Sequence, residues 1–257
     1  MTLPYYRPIR HEVDVFHHAY RNQLGLMLKG PTGCGKSRFV EAMASSVERS
    51  LVTVACHDDT SATDLMGRYL VQGGDTVWQD GPLTRAVREG AILYLDEIAE
   101  AREDVVVVLH SLTDHRRQIF LDRLNETLTA PPEFMLIISF NPGYQRGFKE
   151  LKPSTRQRFV GLSFHYPEPA VEAEIVARES GVDAALAQRL VTFATKVRNL
   201  EELGLSATAS TRLLVHAGRL VQTGMAPRIA CQVGVIEPLT DEVEIINALQ
   251  DTANLIL

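Results

Sequence analysis

Nothing in the chain approaches the roughly 20 consecutive apolar residues that a bilayer-spanning helix needs, so no membrane insertion is expected. Cysteine is scarce. Cys34, Cys56 and Cys231 are far apart, odd in number and form no CxxC pair. That spacing suggests neither a zinc site nor a disulfide framework, and the three read as reduced thiols. Cys34 differs in lying inside a glycine loop, where its oxidation would block whatever the loop binds. The first ten residues, Met1–Arg10, lack the apolar core of a secretory signal, and a cytoplasmic location is the expectation. Internal repeats and low-complexity tracts are absent. Positive charge is in the minority: 26 Lys and Arg against 32 Asp and Glu give a formal net charge of -6. That balance argues against nucleic acid as the main partner. What is present, 45% hydrophobic and 23% charged residues over 257 positions, is enough for one large or two smaller globular domains.

Glu12–Arg21 carries Val13, Phe16 and Tyr20 at helical spacing. Gly25–Lys29 reads as a buried strand, and Lys36–Arg49 as a helix after a glycine loop. Leu51–Ala55, Ala91–Leu95 and Phe134–Phe140 are further buried-strand candidates, with helical stretches such as Glu103–Leu112 between them. Continuous apolar strands alternating with helices predict a parallel sheet covered on both faces. Two segments break the rhythm. Arg68–Asp80 alternates around Gly73-Gly74, a hairpin signal, and Arg117–Leu128 reads as a second hairpin turning near Leu124–Asn125. After Pro167-Glu168-Pro169 the pattern is wholly helical: Val171–Ser180, Asp183–Arg198, Ser210–Thr223, Pro227–Val235 and a last segment from Asp241. The expected division is an α/β part, residues 1–166, and an all-helical part, residues 167–257.

Gly30-Pro31-Thr32-Gly33-Cys34-Gly35-Lys36-Ser37 satisfies G-x-x-x-x-G-K-[ST] in full. The glycines let backbone N–H groups face a phosphate, and the helix start adds positive partial charge. Lys36 is suited to the β- and γ-phosphates of ATP, and the Ser37 hydroxyl to Mg²⁺. A chance match of the four fixed positions occurs in on the order of one chain in a hundred of this length. The preceding strand and following helix make chance rarer still. Asp96-Glu97 follows an apolar strand. Asp96 is suited to hold Mg²⁺ and Glu97 to polarise an attacking water, although an acidic pair also suits a helix start. Asn141 ends the strand Phe134–Phe140, where it fits a γ-phosphate sensor, or simply the turn Asn-Pro-Gly at 141–143. Arg156 and Arg158, in Lys152–Phe159, fit either a transition-state arginine supplied to a neighbouring subunit or a solvated basic helix end. Arg212 opens a helix of the second part and is either a nucleotide contact or a surface arginine. Cys56-His57-Asp58-Asp59 contains metal-ligating types, but Thr60-Ser61 after it favours a helix entry. Trp78 suits an exposed contact or the packing of its own hairpin.

Together these residues resemble the AAA+ superfamily, with Gly30–Ser37 as Walker A, Asp96–Glu97 as Walker B and Asn141 as sensor 1. Arg158 is the better match to the arginine finger and Arg156 the second. Arg212 is similar to sensor 2 in a helical lid. The two inserted hairpins resemble the MoxR branch. Within it, KGPTGCGKSRFVE (29–41), VACHDDTSATDLMGRYL (54–70), WQDGPLTRAVREGAILYLDE (78–97), LTDHRR (112–117), FNPGYQ (140–145) and LKPSTRQRFV (151–160) look like the CbbQ/NirQ/NorQ group. The resemblance implies a hexameric ring of ATPases with ATP and Mg²⁺. It also implies a partner carrying a von Willebrand factor A domain, CbbO or NorD. The client enzyme it activates would be Rubisco for the CbbQ type or nitric oxide reductase for the NirQ/NorQ type. TDHRR (113–117) suits the first, which is the leading expectation, and NETLTAPPEFML (125–136) suits the second. No aromatic–hydrophobic–glycine pore loop is present, so limited remodelling of the client, through the Arg68–Asp80 hairpin, is expected rather than full threading. Rival classes are a small-molecule kinase, a nucleotide-binding switch with negligible hydrolysis, and a DNA-directed AAA+ protein.

Overall fold

The computed structural model describes residues 4–142, 151–199 and 208–257. The chain divides into two compact units, residues 1–30 with 36–164 and residues 31–35 with 165–257.

The first unit opens with α1 (Glu12–Arg21), β1 (Gly25–Lys29), α2 (Lys36–Ser46), β2 (Leu51–Ala55) and α3 (Ala62–Met66). Ser61 caps α3 in a capping box with Asp64, each side chain accepting from the other's backbone N–H. Next come β3 (Gly67–Gln72), β4 (Asp75–Asp80), α4 (Pro82–Glu89), β5 (Ile92–Asp96) and α5 (Glu103–His110). Pro82 in the first turn of α4 and left-handed Gly90 at its end are strong start and stop signals. The unit closes with β6 (Gln118–Leu121), β7 (Glu126–Thr129), β8 (Met135–Phe140), α6 (Pro153–Arg156) and β9 (Phe159–Ser163). Helix α2 is shorter than expected. It ends at Ser46, and the chain reverses through Glu48 at φ 54°.

Five strands form one parallel sheet in the order β2-β5-β8-β1-β9. Position in that order explains the burial. All six residues of β8, which has neighbours on both sides, are buried, as are the first four of β5 and β1. Each such Leu, Ile or Met contributes about 1.5–3 kcal/mol relative to exposure. The edge strands β2 and β9 are only partly buried, so Leu51–Ala55 is less enclosed than its apolar run suggests. Because the strands are parallel, their carboxyl ends share one edge, with Lys29 opposite Phe140 and Leu95 opposite Ile138. Ligand sites in open α/β sheets form at such an edge.

Both hairpins are present. β3 and β4 turn through Gly73 and Gly74, at φ 61° and 94°, and β6 and β7 turn through Asn125 at φ 49°. Trp78 packs its own hairpin, edge-on to Tyr69 with ring centroids 5.2 Å apart. Arg88 on α4 ties the two hairpins together, its Nε 2.8 Å from Asp80 and its fork on the Glu126 carboxylate.

The second unit stacks α7 (Pro169–Ser180), α8 (Ala184–Asn199), α9 (Thr211–Gln222), α10 (Pro227–Cys231), a π turn (Gln232–Ile236) and α11 (Val243–Ile256). Its core is mostly aliphatic, with Phe193 and Cys231 among it, and encloses a buried ionic node. Glu172 on α7, wholly buried, accepts two hydrogen bonds at 2.7 Å from Arg198 on α8 and one from Thr211 on α9. Arg198 also donates to the Ala209 carbonyl at 2.8 Å and lies over the Tyr166 ring at 3.9 Å. One guanidinium thus fixes three helices. Removing it in Arg198→Ala strands a buried carboxylate and should destabilise the helical unit by about 3–5 kcal/mol. Urea unfolding followed by circular dichroism checks this; an unchanged midpoint would show the node to be dispensable.

Candidate active site

The loop between β1 and α2 is shaped by its glycines. Gly33 and Gly35 hold φ at 69° and 100°, in the left-handed region that side chains resist. Within the second unit, a Cβ added at Gly33 would lie 2.7 Å from the Ser210 side chain and 3.3 Å from the Arg212 Cβ. At Gly30 a Cβ would collide with the Phe164 carbonyl. Helix α2 begins at Lys36, directly after the loop, so its first turn carries the positive end of the helix dipole. Lys36 is buried, and its ammonium donates to the Gly30 carbonyl at 2.8 Å and to Asn141 Oδ1 at 2.7 Å.

Asn141 stands just past the carboxyl end of β8, and its amide donates to Glu97 Oε1 at 3.2 Å. A continuous chain therefore runs from Lys36 through Asn141 to Glu97, with β8 as the spacer. Glu97 leaves β5 in the left-handed conformation, φ 55° and ψ 44°, and its side chain is exposed. Asp96 Oδ2 accepts from the Ser37 hydroxyl at 3.4 Å. Asp96 Oδ1 accepts from the Tyr94 phenol at 2.8 Å and from the Ser139 hydroxyl. Ser139 also accepts the Glu97 backbone N–H at 3.3 Å. Burial pushes the Tyr94 phenol above its ordinary value, so it remains a donor to Asp96.

Hydroxyl and carboxylate oxygens at Ser37 and Asp96 are the hard donors that Mg²⁺ takes. Among the described residues no group of three or more His, Cys, Asp and Glu gathers to hold a metal alone. A cation at Ser37 and Asp96 would complete its shell with phosphate and water oxygens. His57 is engaged in the entry to α3, accepting from the Asp59 N–H at 3.3 Å.

The structure thus brings Lys36, Ser37, Asp96, Glu97 and Asn141 together. Arg156 and Arg158 make other contacts. Arg156 lies over the Phe140 ring at 5.4 Å. Arg158 donates to the His110 carbonyl at 3.3 Å and stands 4.0 Å from the Asp114 carboxylate, and its buried Nε has no partner among the described residues. Burial, and then the charge of Arg158, lowers the His110 pKa, which favours the neutral ring whose Nε2 is 3.0 Å from Thr155 Oγ1. Arg212 is exposed in the first turn of α9. Gly143, the last residue of the expected Asn-Pro-Gly turn, lies outside the described residues. Sequence reasoning passed over Tyr94 and Ser139. The available signal was a single hydroxyl in each of two otherwise apolar strands, at positions facing the acidic pair.

Two family descriptions match the chain: the AAA domain of the dynein-related subfamily over residues 25–159, and the CbbQ/NirQ/NorQ C-terminal family over residues 172–256. The chain is 58% identical over 250 residues to Protein NorQ of Paracoccus denitrificans, covering 97% of this chain and 93% of that one. It is 55% identical over 252 residues to Denitrification regulatory protein NirQ of Pseudomonas aeruginosa, covering 98% and 97%. It is 54% identical over 250 residues to Protein CbbQ of Hydrogenophilus thermoluteolus, covering 97% and 94%. Among solved structures, a RuvB mutant of Thermotoga maritima matches with a TM-score of 0.57 at 15% identity. That match covers 95% of this chain and 69% of that one, a likeness of fold.

Beside the site, burial and then the charge of Asp96 push the Cys56 thiol up to about 12, and burial pushes Cys231 to about 12. A thiol pKa raised this far leaves the unreactive protonated form through neutral pH, with thiolate appearing only as pH nears the raised value. At about pH 8 a maleimide should therefore leave both unmodified in the native protein and label both after denaturation. Mass spectrometry of the native adduct checks this, and rapid native labelling of either would contradict it.

Proposed function

We infer, for a chain that belongs to the CbbQ/NirQ/NorQ family of AAA+ ATPases, that ATP hydrolysis at this site drives the remodelling of a client enzyme. The carrying observation is the hydrogen-bonded chain from Lys36 through Asn141 to Glu97, with Ser37 and Asp96 alongside. In this reading the loop Gly30–Ser37 (Pro31, Thr32, Gly33, Cys34 and Gly35 among it) grips the phosphates of ATP. Lys36 exchanges Asn141 for a phosphate oxygen, and Asn141 senses the γ-phosphate. Glu97 accepts a proton from the attacking water as its oxygen bonds to the γ-phosphorus. The bond to the β–γ bridging oxygen breaks, giving ADP and phosphate. Ser37 and Asp96 would hold Mg²⁺, which would supply charge neutralisation to the transferring phosphoryl group. Arg212 contacts the nucleotide from the first turn of α9, and the helical part is taken to begin at residue 167.

Arg158 acts on a neighbour's nucleotide in a hexameric ring, with Arg156 behind it. Within their own chain Arg158 donates to the His110 carbonyl and Arg156 lies over the Phe140 ring. A partner with a von Willebrand factor A domain, CbbO-like or NorD-like, couples the ring to its client in the cytoplasm. Two observations bear on that client. The stretch 113–117 suits Rubisco. The stretch 125–136 suits nitric oxide reductase, and relatives named NorQ, NirQ and CbbQ, at 58%, 55% and 54% identity over nearly the whole chain, stand on both sides. Rubisco is the first reading and nitric oxide reductase the second.

Lys36→Ala should abolish binding of a fluorescent ATP analogue. Glu97→Gln should retain binding while turnover falls by about 10²–10⁴-fold, read in a coupled phosphate-release assay; undiminished turnover would remove Glu97 from the role. Arg158→Ala subunits should regain ATPase activity when mixed with Glu97→Gln subunits, and no recovery in mixed rings would place the arginine in cis or outside the reaction. A monomer that phosphorylates a small acceptor, or nucleotide binding without steady-state hydrolysis, would favour the kinase or switch classes instead.

A further inference from the structure

Ser139 is wholly buried on β8, two residues before Asn141, and both bond to the acidic pair, Ser139 to Asp96 and Asn141 to Glu97. Its hydroxyl does two things at once. It donates to Asp96 Oδ1 and accepts the backbone N–H of Glu97. Tyr94, two residues before Asp96 on β5, places its phenol on the same carboxylate oxygen, 3.1 Å from the Ser139 hydroxyl. Two neutral donors on Oδ1 fix the rotation of the Asp96 carboxylate and leave Oδ2 turned toward Ser37. The Glu97 N–H bond braces a non-glycine residue in the left-handed region, a conformation that persists only when its surroundings hold it.

We propose that Ser139 and Tyr94 are positioning residues of the acidic pair. Ser139 sets both the Asp96 carboxylate and the Glu97 backbone, and Tyr94 locks the carboxylate from its own strand. Neither touches the nucleotide. This rests on the reading of Asp96 as the Mg²⁺-side carboxylate and of Glu97 as the base. It goes beyond that reading because the strand carrying Asn141 then governs both acidic residues as well as the γ-phosphate contact. A shift of β8 would move sensor, metal ligand and base together.

The competing explanation is that Ser139 and Tyr94 merely satisfy one another in the core. The two differ in Mg²⁺ dependence. The test uses full-length Ser139→Ala, Ser139→Thr, Tyr94→Phe and Asp96→Asn proteins. It measures melting temperature, fluorescent-ADP binding with and without MgCl₂, and ATPase turnover across a MgCl₂ titration. For Ser139→Ala, ADP binding without Mg²⁺ should match the unaltered protein. Its apparent Mg²⁺ affinity, read from the ADP fluorescence, and its turnover at saturating Mg²⁺ should each fall by about 10–100-fold, as for loss of an outer-shell partner. Ser139→Thr, which keeps the hydroxyl, should restore most of both. Tyr94→Phe removes one oxygen and should weaken the Mg²⁺ response while leaving the Glu97-dependent step less affected. If Ser139→Ala fails to fold, Tyr94→Phe carries the test alone. A folded Ser139→Ala or Tyr94→Phe with unaltered Mg²⁺ dependence overturns the proposal. If Asp96→Asn also leaves that dependence unaltered, the underlying metal reading has failed. If Asp96→Asn shifts it and the hydroxyl variants do not, only the positioning role has failed.

Discussion

The Lys36 ammonium reaches Asn141 Oδ1 at 2.7 Å, and the Asn141 amide reaches Glu97 at 3.2 Å. The geometry of the site depends on that relay, and the relay depends on one feature of the sheet. The strand leading into the phosphate loop, β1, and the strand ending in the acidic pair, β5, are not neighbours; β8 runs between them. Adjacent strands lie about 4.8 Å apart, so a gap of two strand spacings separates the backbones of β1 and β5. An attacking water and a terminal phosphate fit a gap of that size, and the residues at the end of β8 sit at its middle.

The interior of β8 supports this placement. Six consecutive buried residues, from Met135 to Phe140, hold the strand in register between its neighbours. The single polar member, Ser139, has its hydrogen bonds made within the acidic cluster. A buried hydroxyl without partners would cost about 1–3 kcal/mol, so the same contacts that orient the carboxylate also make the serine tolerable in the core. Stability and chemistry are served by one set of bonds. In the helical unit the Glu172–Arg198 node has a structural version of this logic, in which a charge is admitted to the interior only with its fork-shaped partner in place.

Much of this was legible in the residues. The phosphate loop announces itself through fixed glycines and Lys36-Ser37, and Gly73-Gly74 marks the first hairpin. The runs in β1, β5 and β8 are apolar without alternation because those strands are covered on both faces. Other elements were harder to see. β9 is edge-placed and interrupted by Gly161, so its sequence lacks the continuous apolar run of the inner strands. Helix α4 was overlooked although Pro82 and Gly90 bracket it. Strand order cannot be read from periodicity. The hydroxyls of Tyr94 and Ser139 acquire meaning only once β5 and β8 are known to be adjacent, because the partners they have outside their own strands are 42 to 57 residues away in the chain. The contacts of Arg156 and Arg158 were hidden for the same reason.

A structure of the assembled protein with Mg²⁺ and a non-hydrolysable ATP analogue tests the central claim most directly. The β-phosphate should lie in the loop Gly30–Ser37, with the γ-phosphate between Lys36 and Asn141. Mg²⁺ should be bonded to Ser37 and stand on the Oδ2 side of Asp96. A nucleotide bound elsewhere, or a triphosphate whose terminal group points away from Asn141 and Glu97, would contradict it.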